Sequence, residues 1–443
     1  MTDLEKLQHK RLNELRPNGR NARTHSTKQI RQIADSIDRF GFTNPVLISD
    51  DGEIIAGHGR VEAAKILKLA EVPVVTLSHL SQAERRAYML ADNKLAQNAG
   101  WDREMLAIEF EELMELQIDL SVTGFSMPEI NILIDEAAEG SRTTTPSEDL
   151  IPDPATITVT QSGDLWMLGR HRLVCGDARL KAYYQLLLEG ERADLVFTDP
   201  PYNVPVQRYV SGPQRERRRK FIVANGELSD DEFTAFLEQS LTNLAQNCRA
   251  GAIAYICMDW RHMGELLEAA EGSFDDLKNV CVWNKTNGGT GTFYRSKHEL
   301  VFVFKVGAAP HVNNFGLGEG GRYRTNVWDY AGVNGWNSSR SEALEMHPTV
   351  KPVALVADAI RDCSNRGDVV LDVFAGSGTT LIAAEKCGRQ ARLIEYDPQY
   401  CDAIIRRFER YTGKQARLSW TNETFGQVEE ARTVELQEGM GAK

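Results

Sequence analysis

The sequence lacks closely spaced cysteines, long apolar runs and a basic leader segment. Its seven Cys include no Cys-x-x-Cys pair, and the nine His show no ligand spacing with them. This pattern predicts free thiols in a reducing compartment and no metal site. No run of 18 apolar residues is present, and no apolar core follows a basic start at the N-terminus. We therefore expect a cytoplasmic protein with neither a membrane span nor a secretion signal.

The sequence also lacks a net positive charge, since its formal charge is -12 at pH 7. Contact with phosphates needs basic surface, so this balance argues weakly against nucleic-acid binding. The distribution of charge matters more than the sum. One basic cluster stands out within residues 206–221; its members are Arg215, Arg217, Arg218, Arg219 and Lys220. Such a cluster is usually a solvated loop, but its position just after the motif described next favours an arm that contacts DNA phosphates.

A short apolar run ends in an unusual polar turn. Residues 193–198 predict a buried strand, and Asp199, Pro200, Pro201 and Tyr202 follow it directly. The two prolines hold the backbone extended and remove two N–H donors. A carboxylate and a carbonyl can then accept both protons of an exocyclic amine while the Tyr ring stacks on the base. The alternative interpretation is a proline-rich turn that only ends a strand.

A second strand, residues 369–374, runs into a glycine turn and the start of a helix. The turn contains Gly376, Ser377 and Gly378, and glycines at such a position let the backbone approach a ligand closely. No Lys follows the second Gly as in a phosphate-gripping loop, and no third Gly stands at dinucleotide spacing. The next predicted strand ends at Glu395, where a ribose hydroxyl is expected.

Together these motifs resemble the beta-class DNA amino-methyltransferases, which transfer a methyl group from S-adenosylmethionine to adenine N6 or cytosine N4. The catalytic motif precedes the cofactor motif, as in that class, and the resemblance spans residues 156–420 with five motifs in order. It implies an α/β fold with an open, mostly parallel, doubly wound sheet and a late antiparallel pair. It also implies S-adenosylmethionine as cofactor, double-stranded DNA as partner and a link to restriction-modification.

The resemblance assigns roles to individual residues. Asp199, Pro200, Pro201 and Tyr202 would form the catalytic turn. The expected cofactor-binding residues are Asp177, Thr349, Lys351, Phe374, Gly376, Ser377, Gly378, Thr379 and Glu395. Asp177 would contact the cofactor adenine, and residues 347–352 would wall the methionine end. Arg295 and His298 would lie beside the target-base pocket and contact DNA, next to a target-recognition region expected at residues 288–345.

The first hundred residues carry a separate motif. Gly57, His58, Gly59 and Arg60 follow an apolar run and precede a helix, a combination that suits an anion because the helix start and the Arg both attract negative charge. The motif resembles the ParB/sulfiredoxin-like fold, a smaller α+β domain. The resemblance implies a nucleotide (CTP or ATP) or a DNA phosphate at this turn. Redox chemistry is not expected, because Gly57 stands where sulfiredoxins have their Cys, and nuclease activity is not expected either.

Composition divides the chain into five parts. We expect the ParB/sulfiredoxin-like domain in residues 1–100, a helical extension in 101–136, a polar linker in 137–155, the methyltransferase domain in 156–420 and a disordered acidic tail in 421–443. The oligomeric state is left open, with a homodimer among the alternatives.

We expect DNA adenine N6 methylation as the function. No Cys follows a Pro, which disfavours C5-cytosine chemistry, and Asp at position 199 differs from the Ser more often found in N4-cytosine enzymes. Cytosine N4 methylation remains an alternative. A nucleotide-switched, ParB-like DNA-binding protein with an inactive methylase-like domain is another, and a dinucleotide oxidoreductase fits less well because its glycine fingerprint is incomplete.

Overall fold

The computed structural model divides the chain into two compact units, Met1–Arg142 and Thr143–Lys443. It describes a set of ranges with gaps between them: residues 7–98, 100–116, 118–127, 129–130, 132–134, 148–149, 152, 158–203, 226–285, 294–315, 324–330 and 350–441. The division falls inside the polar segment 137–155.

The first unit is built on a four-stranded sheet with the order β1-β4-β2-β3. Its strands are β1 (Gln8–Arg11), β2 (Val46–Ile48), β3 (Ile54–Ala56) and β4 (Glu71–Thr76). Its helices are α1 (Thr27–Phe40), α2 (His58–Ile66), α3 (Gln82–Asn98) and α4 (Arg103–Glu115). Alternate residues of β4, Val72 and Val74, are fully buried against β2, because successive side chains of a strand point to opposite faces.

Helix boundaries in this unit follow from capping residues. The Ser26 side chain accepts a hydrogen bond from the Gln29 amide, and Asp102 does the same for Met105, so α1 and α4 each begin with a satisfied amide. Gly41, at a φ of +81°, ends α1 where residues with a Cβ are strained. Helix α4 buries Ala107 and Phe110 in a small separate cluster with Leu120, Ile130, Leu133 and Ile134.

The second unit contains a ten-stranded sheet with the order β11-β9-β10-β8-β7-β12-β13-β6-β5-β14. Its strands are β5 (Leu165–Leu168), β6 (His171–Cys175), β7 (Ala193–Thr198), β8 (Cys248–Met258), β9 (Asp276–Asn284), β10 (His298–Lys305), β11 (Val327–Asp329), β12 (Val369–Asp372), β13 (Gln390–Glu395) and β14 (Arg417–Leu418). Its helices are α5 (Lys181–Leu188), α6 (Asp230–Gln246), α7 (Met263–Ala270), α8 (Val353–Cys363), α9 (Thr379–Lys386), α10 (Pro398–Thr412) and α11 (Phe425–Gly441).

Helices cover both faces of this sheet. Helices α8, α9 and α10 bury their apolar residues on one face, and α5, α6 and α7 on the other, which produces two separate cores. The central strands β8, β7, β12, β13 and β6 run parallel, whereas β10 is antiparallel to both β8 and β9. The predicted doubly wound α/β sheet with a late antiparallel pair is confirmed. Because parallel strands end at one edge, the turns after β6, β7, β12 and β13 lie together there.

The end of the chain differs from the expected disordered tail at residues 421–443. Residues 425–441 form α11, whose Phe425 and Val428 are buried. The Phe425 ring lies 5.3 Å from the ring of Trp166, and Arg432 forms an ion pair with Asp164 at 2.5 Å. The acidic composition concealed two apolar residues spaced three apart, which lie on one face of a helix.

Two residues of the expected linker, Glu148 and Asp149, contact helices of the second unit, to which they belong. The Asp149 carboxylate accepts a hydrogen bond from the Val353 amide at the start of α8, at 3.0 Å. The Glu148 carboxylate lies 2.8 Å from the Lys386 ammonium, and its carbonyl accepts a hydrogen bond from Arg407. A carboxylate at a helix start satisfies an otherwise unpaired amide and suits the helix dipole. The segment is therefore not free over its whole length.

Within the ranges given above, every helix is too short or too polar to cross a bilayer.

We predict that Phe425→Ala lowers the free energy of unfolding of the second unit by about 3 kcal/mol, because it removes a buried ring and leaves a cavity beside Trp166. Chemical denaturation of the full chain measures the change. Val434→Ala, an exposed position on the same helix, serves as the control and should leave stability unchanged. Equal stability of both variants would show that α11 does not pack against the sheet.

Candidate active site

The end of β7 is joined to the end of β12 by a buried side-chain network. The Thr198 hydroxyl donates to Asp372 Oδ1 at 2.8 Å, and the Thr380 hydroxyl donates to Asp372 Oδ2 at 2.7 Å. The Phe374 amide also donates to Asp372 at 3.1 Å. The network fixes the turn that begins at Asp199 against the turn that begins at Phe374, so the two sequence motifs lie side by side.

Both carboxylate oxygens of Asp199 have partners. The Lys351 ammonium lies 2.5 Å from Oδ2, and the Tyr202 hydroxyl donates to Oδ1 at 2.6 Å. Lys351 reaches this point from the segment just before α8 and is only 4% exposed. The ammonium also lies 3.1 Å from the Tyr202 oxygen and 5.5 Å from the ring centre. Asp199, Tyr202 and Lys351 therefore form one compact group.

A second carboxylate, Glu299, completes this group. It lies on β10 directly opposite Trp283 of β9, and its Oε2 is 3.0 Å from the Lys351 ammonium. Its Oε1 pairs with the ammonium of Lys285, which follows β9. The Trp283 ring walls the group, with the Lys285 and Lys351 ammoniums 4.6 and 6.0 Å from its centre. Two carboxylates thus share two ammoniums in a largely buried place.

Burial and charge perturb the acidity of these groups in opposite directions. Burial raises the pKa of Asp199, which Lys351 offsets only in part and Glu299 reinforces. Burial also acts on Glu299, but Lys351 and Lys285 outweigh it and lower the pKa of that carboxyl to about 2. Burial raises the pKa of the Tyr202 hydroxyl well above its usual value, so it stays protonated and donates.

The glycine turn has the geometry that the sequence predicts. Gly376 and Gly378 have φ angles of +53° and +79°, in the region that glycine favours. A Cβ at Gly378 would lie 3.0 Å from the Ile404 side chain, so α10 packs directly on the turn. The Gly376 amide donates to Glu395 Oε2 at 2.7 Å, and the Asp397 amide donates to Oε1 at 2.8 Å. The turn and the end of β13 are therefore locked together.

A cleft connects the catalytic turn with the glycine turn. The residues that line it are Phe197, Asp199, Lys351, Val356, Asp372, Phe374, Ala375, Gly376, Ser377, Thr379 and Thr380. The structure thus brings six residues predicted from the sequence into one cleft, namely Asp199, Lys351, Phe374, Gly376, Ser377 and Thr379. Gly378 and Glu395 adjoin these lining residues, and the Glu395 carboxylate accepts from the Gly376 amide.

Two further carboxyl groups at the cleft have raised pKa values. Burial raises the pKa of Asp372 to about 6, although hydrogen bonds from Thr380 and Thr198 oppose the shift. Burial raises the pKa of Glu395 to about 8, against the two backbone amides that it accepts. Both groups bind a proton more readily than an exposed carboxyl does. Among the described contacts of Asp372 and Glu395, no cation stabilises the negative charge of the carboxylate.

Asp177 lies at the same sheet edge but has its own partner. Cys175 pairs in register with Glu395, and the Gly176 amide donates to the Glu395 carbonyl at 2.8 Å, which brings Asp177 close to the glycine turn. The Arg179 guanidinium lies 2.6 Å from the Asp177 carboxylate. Burial would raise the pKa of Asp177, but the hydrogen bonds from Arg179 outweigh it and lower the pKa.

Several predicted residues fall outside the described ranges. These are Thr349 and the basic cluster Arg215, Arg217, Arg218, Arg219 and Lys220. The base of the segment that carries the cluster is described: the Asn203 side chain accepts from the Gly226 amide at 3.0 Å and donates to the Leu228 carbonyl at 2.9 Å. His298 is the first residue of β10, one position before Glu299, and Arg295 precedes it by three. Only part of the expected target-recognition region, 294–315 and 324–330, is described.

In the first unit, Gly57 begins α2 with a φ of +99°. Arg60 donates to the Pro45 carbonyl at 2.7 Å, and burial lowers its pKa. The His58 Nε2 accepts from the Asn18 amide at 3.4 Å, and Gly59 packs against the His25 ring. The four predicted residues thus lie at one helix start, where the Arg60 side chain already donates to the backbone carbonyl of Pro45.

The sequence interpretation missed five residues of the site: Glu299, Lys285, Trp283, Thr198 and Asp372. Glu299 directly follows His298, which the resemblance placed beside the target-base pocket, and Thr198 and Asp372 end the two strands that carry the motifs. Their positions at strand ends were the available signal. Lys285 and Trp283 offered none, since only the antiparallel pairing of β9 and β10 brings them to Glu299.

Comparison with known proteins covers both units. Residues 193–406 match the DNA methylase family, residues 104–162 the ParB-methyltransferase HTH domain, and residues 2–94 the ParB N-terminal domain. The ParB-like nuclease domain-containing protein YnaK of Escherichia coli is 52% identical over 86 residues, which are 19% of this chain and 99% of that protein. The type II methyltransferase M.HpaI of Haemophilus parainfluenzae is 26% identical over 254 residues, 54% of this chain and 74% of that protein.

Among solved structures, the M1.HpyAVI–SAM complex is 21% identical, covers 53% of this chain and 97% of that chain, and has a TM-score of 0.40. The N6/N4 methylase family uses S-adenosylmethionine, so the cofactor expected from the sequence is confirmed. The resemblance predicted for each half of the chain is confirmed as well. The chain contains a DNA methylase domain of the N6/N4 family in its second unit and a ParB N-terminal domain, residues 2–94, in its first unit.

Proposed function

We propose that this protein methylates adenine N6 in double-stranded DNA with S-adenosylmethionine as methyl donor. The observation that carries the proposal is the position of Asp199 and Tyr202 at one end of a cleft whose other end is the glycine turn. A target amine and a cofactor bound in such a cleft would meet at the Asp199 carboxylate. Alignment of the two reactants would supply most of the rate, without a covalent enzyme intermediate.

The residues at the cleft suit the chemistry of the cofactor. Gly376 exposes the backbone, so a ligand can approach the turn closely. Asp372 and Glu395 supply acceptor oxygens, and a carboxylate has about four lone-pair positions, more than their present partners use. Acceptors of this kind suit ribose hydroxyls and a positively charged sulfonium group. When bound, S-adenosylmethionine supplies an electrophilic methyl group.

The catalytic turn would bind the amine of a base that has left the DNA stack. The Asp199 carboxylate and the Pro200 carbonyl would accept its two N–H protons, and the Tyr202 ring would lie against the base. With both protons held, the lone pair on nitrogen is free to attack. The preference for adenine over cytosine rests on the resemblance of the Asp-Pro-Pro-Tyr turn to adenine enzymes.

We further propose that the first unit modulates DNA engagement and that chemistry needs only the second. What supports this division is that every residue lining the cleft lies beyond residue 143. In the first unit, the helix start at Gly57 and the Arg60 guanidinium would bind a nucleotide, CTP or ATP, or a DNA phosphate.

We predict that DNA incubated with the protein and cofactor contains N6-methyladenine by mass analysis of its nucleosides. Asp199→Ala should lower the rate by more than about 100-fold, because it removes a positioned acceptor. Cofactor affinity should persist, since the glycine turn and Glu395 remain. Asp276→Ala, an exposed carboxylate paired with Lys278, is the control and should keep full activity. N4-methylcytosine in the product would contradict the adenine assignment, and equal loss of cofactor binding would make Asp199 a cofactor residue.

The affinity for S-adenosylmethionine should rise with pH up to about pH 8 and level off above it. The Glu395 carboxyl is protonated below its pKa of about 8, and a ligand that donates to the carboxylate favours loss of that proton, so binding releases it. Below pH 8 the affinity should rise by close to tenfold per pH unit, as expected when binding releases one proton. Calorimetric titration between pH 6 and 9 measures it. Glu395→Gln should flatten the upper part of the curve, whereas an unchanged slope would assign the proton to another group.

A fragment comprising residues 143–443 should fold and transfer methyl groups to saturating DNA at close to the rate of the full chain. A second fragment that starts at Ile151 lacks Glu148 and Asp149, so Lys386 and the start of α8 lose their partners. We expect the shorter fragment to melt at a lower temperature. If the longer fragment binds cofactor but transfers no methyl groups, the first unit takes part in the chemistry.

A further inference from the structure

Glu299 is a buried carboxylate that the proposed reaction leaves without a role. It is 8% exposed, and both of its oxygens face the active-site group: Oε2 lies 3.0 Å from Lys351, and Oε1 pairs with Lys285. Oε2 also lies 3.5 Å from the Tyr202 hydroxyl oxygen. Glu299 therefore faces the same two side chains that occupy Asp199.

The occupied state of Asp199 conflicts with the binding of a target amine. Lys351 covers Oδ2 and Tyr202 covers Oδ1, while Lys351 also lines the cleft from which the amine must approach. An ammonium that left Asp199 without finding another anion would be a buried, unpaired charge, which is strongly destabilising. Glu299 is the anion within reach, because Lys351 Nζ already lies between the two carboxylates.

We propose that Glu299 is a positioning residue for methyl transfer: it shares the Lys351 ammonium with Asp199 and so leaves Asp199 an acceptor oxygen for the target amine. The inference rests on the proposed function. In the transfer, the amine lone pair forms the nitrogen–carbon bond while the carbon–sulfur bond breaks with its electrons left on sulfur. The surplus amine proton leaves to the Asp199 carboxylate and then to solvent.

Lys285 has a defined part in this arrangement. It neutralises Glu299 from the side away from Asp199, so Glu299 attracts Lys351 less than an unpaired carboxylate would. Loss of the Glu299 charge should let Lys351 collapse onto Asp199, whereas loss of Lys285 should draw Lys351 away from it. The two changes act on Asp199 with opposite signs, which a merely structural role would not produce.

The groups that face Asp199 decide how its titration responds. They are Lys351, Glu299, Tyr202 on its own turn, Cys257 on β8 and Asp372 at the end of β12, with Lys285 acting through Glu299. Burial raises the pKa of both the Tyr202 hydroxyl and the Cys257 thiol well above neutrality, so they stay uncharged. The charges that shift Asp199 between pH 5 and 8 are therefore those of Lys351, Glu299 and Asp372.

The test is the dependence of kcat on pH for the full-length protein and three variants. Glu299→Gln should lower kcat by about 100-fold, the order of loss for a misplaced reacting group, and move the acid limb to lower pH. Lys285→Gln should move the acid limb to higher pH. Glu299→Asp keeps the charge and should keep the wild-type limb. Glu191→Gln, which removes a carboxylate paired with Arg392 before the amino end of β7, is the control with unchanged kcat and pH dependence.

Thermal stability and cofactor affinity are measured on the same samples. The proposal is supported if the Glu299→Gln variant binds cofactor normally and the acid limb of its kcat–pH profile lies at lower pH than that of the wild type. A pH-independent loss of rate that follows a loss of stability overturns it. If that variant does not fold, the acid limb of the Lys285→Gln variant is the test. A shift of this limb to higher pH supports the proposal, and an unshifted limb overturns it. Wild-type protein that yields no methylated base would instead disprove the proposed function.

Discussion

The buried carboxylate of Asp372 determines where the chemistry of this protein can occur. It accepts hydrogen bonds from Thr198 at the end of one strand, from Thr380 in the following helix and from the Phe374 amide of its own turn. A buried carboxylate without hydrogen-bond donors would lower the stability of the fold. The three donors are therefore held in place around Asp372. The catalytic turn and the glycine turn consequently keep a fixed separation, and the cleft between them has a defined width.

The carboxyl groups at the two ends of this cleft are stabilised in different ways. At the catalytic end, Asp199 and Glu299 share Lys351 and Lys285, so charges are buried but balanced. At the glycine turn, Asp372 and Glu395 are held by neutral donors, and burial favours their protonated forms. A cationic ligand therefore finds carboxyl groups that can ionise in response to it at one end and an already neutralised group at the other.

Sequence patterns predicted the local elements well and the side-chain contacts poorly. The strand at 193–198 and the glycine turn with the helix that follows it come from apolar spacing and glycine placement, which act over a few residues. The pairing of Lys351 with Asp199 joins residues 152 positions apart and depends on the strand order, which no local pattern encodes. The ion pair between Asp177 and Arg179, two residues away, was likewise not predicted. The tail was misjudged because its average composition outweighed two apolar residues.

Asn203 has a consequence for how the substrate specificity of such a protein can change. It adopts a left-handed backbone conformation, with φ at 51°, and its side chain bonds to the Gly226 amide and the Leu228 carbonyl. These contacts tie residues 226–228 to the end of the catalytic turn. The closure of a loop depends only weakly on its length, at about 0.6 kcal/mol for each doubling. The number of residues between Asn203 and Gly226 can therefore change at little cost to the position of the catalytic turn, which leaves substrate contacts free to vary while the reacting atoms stay in place.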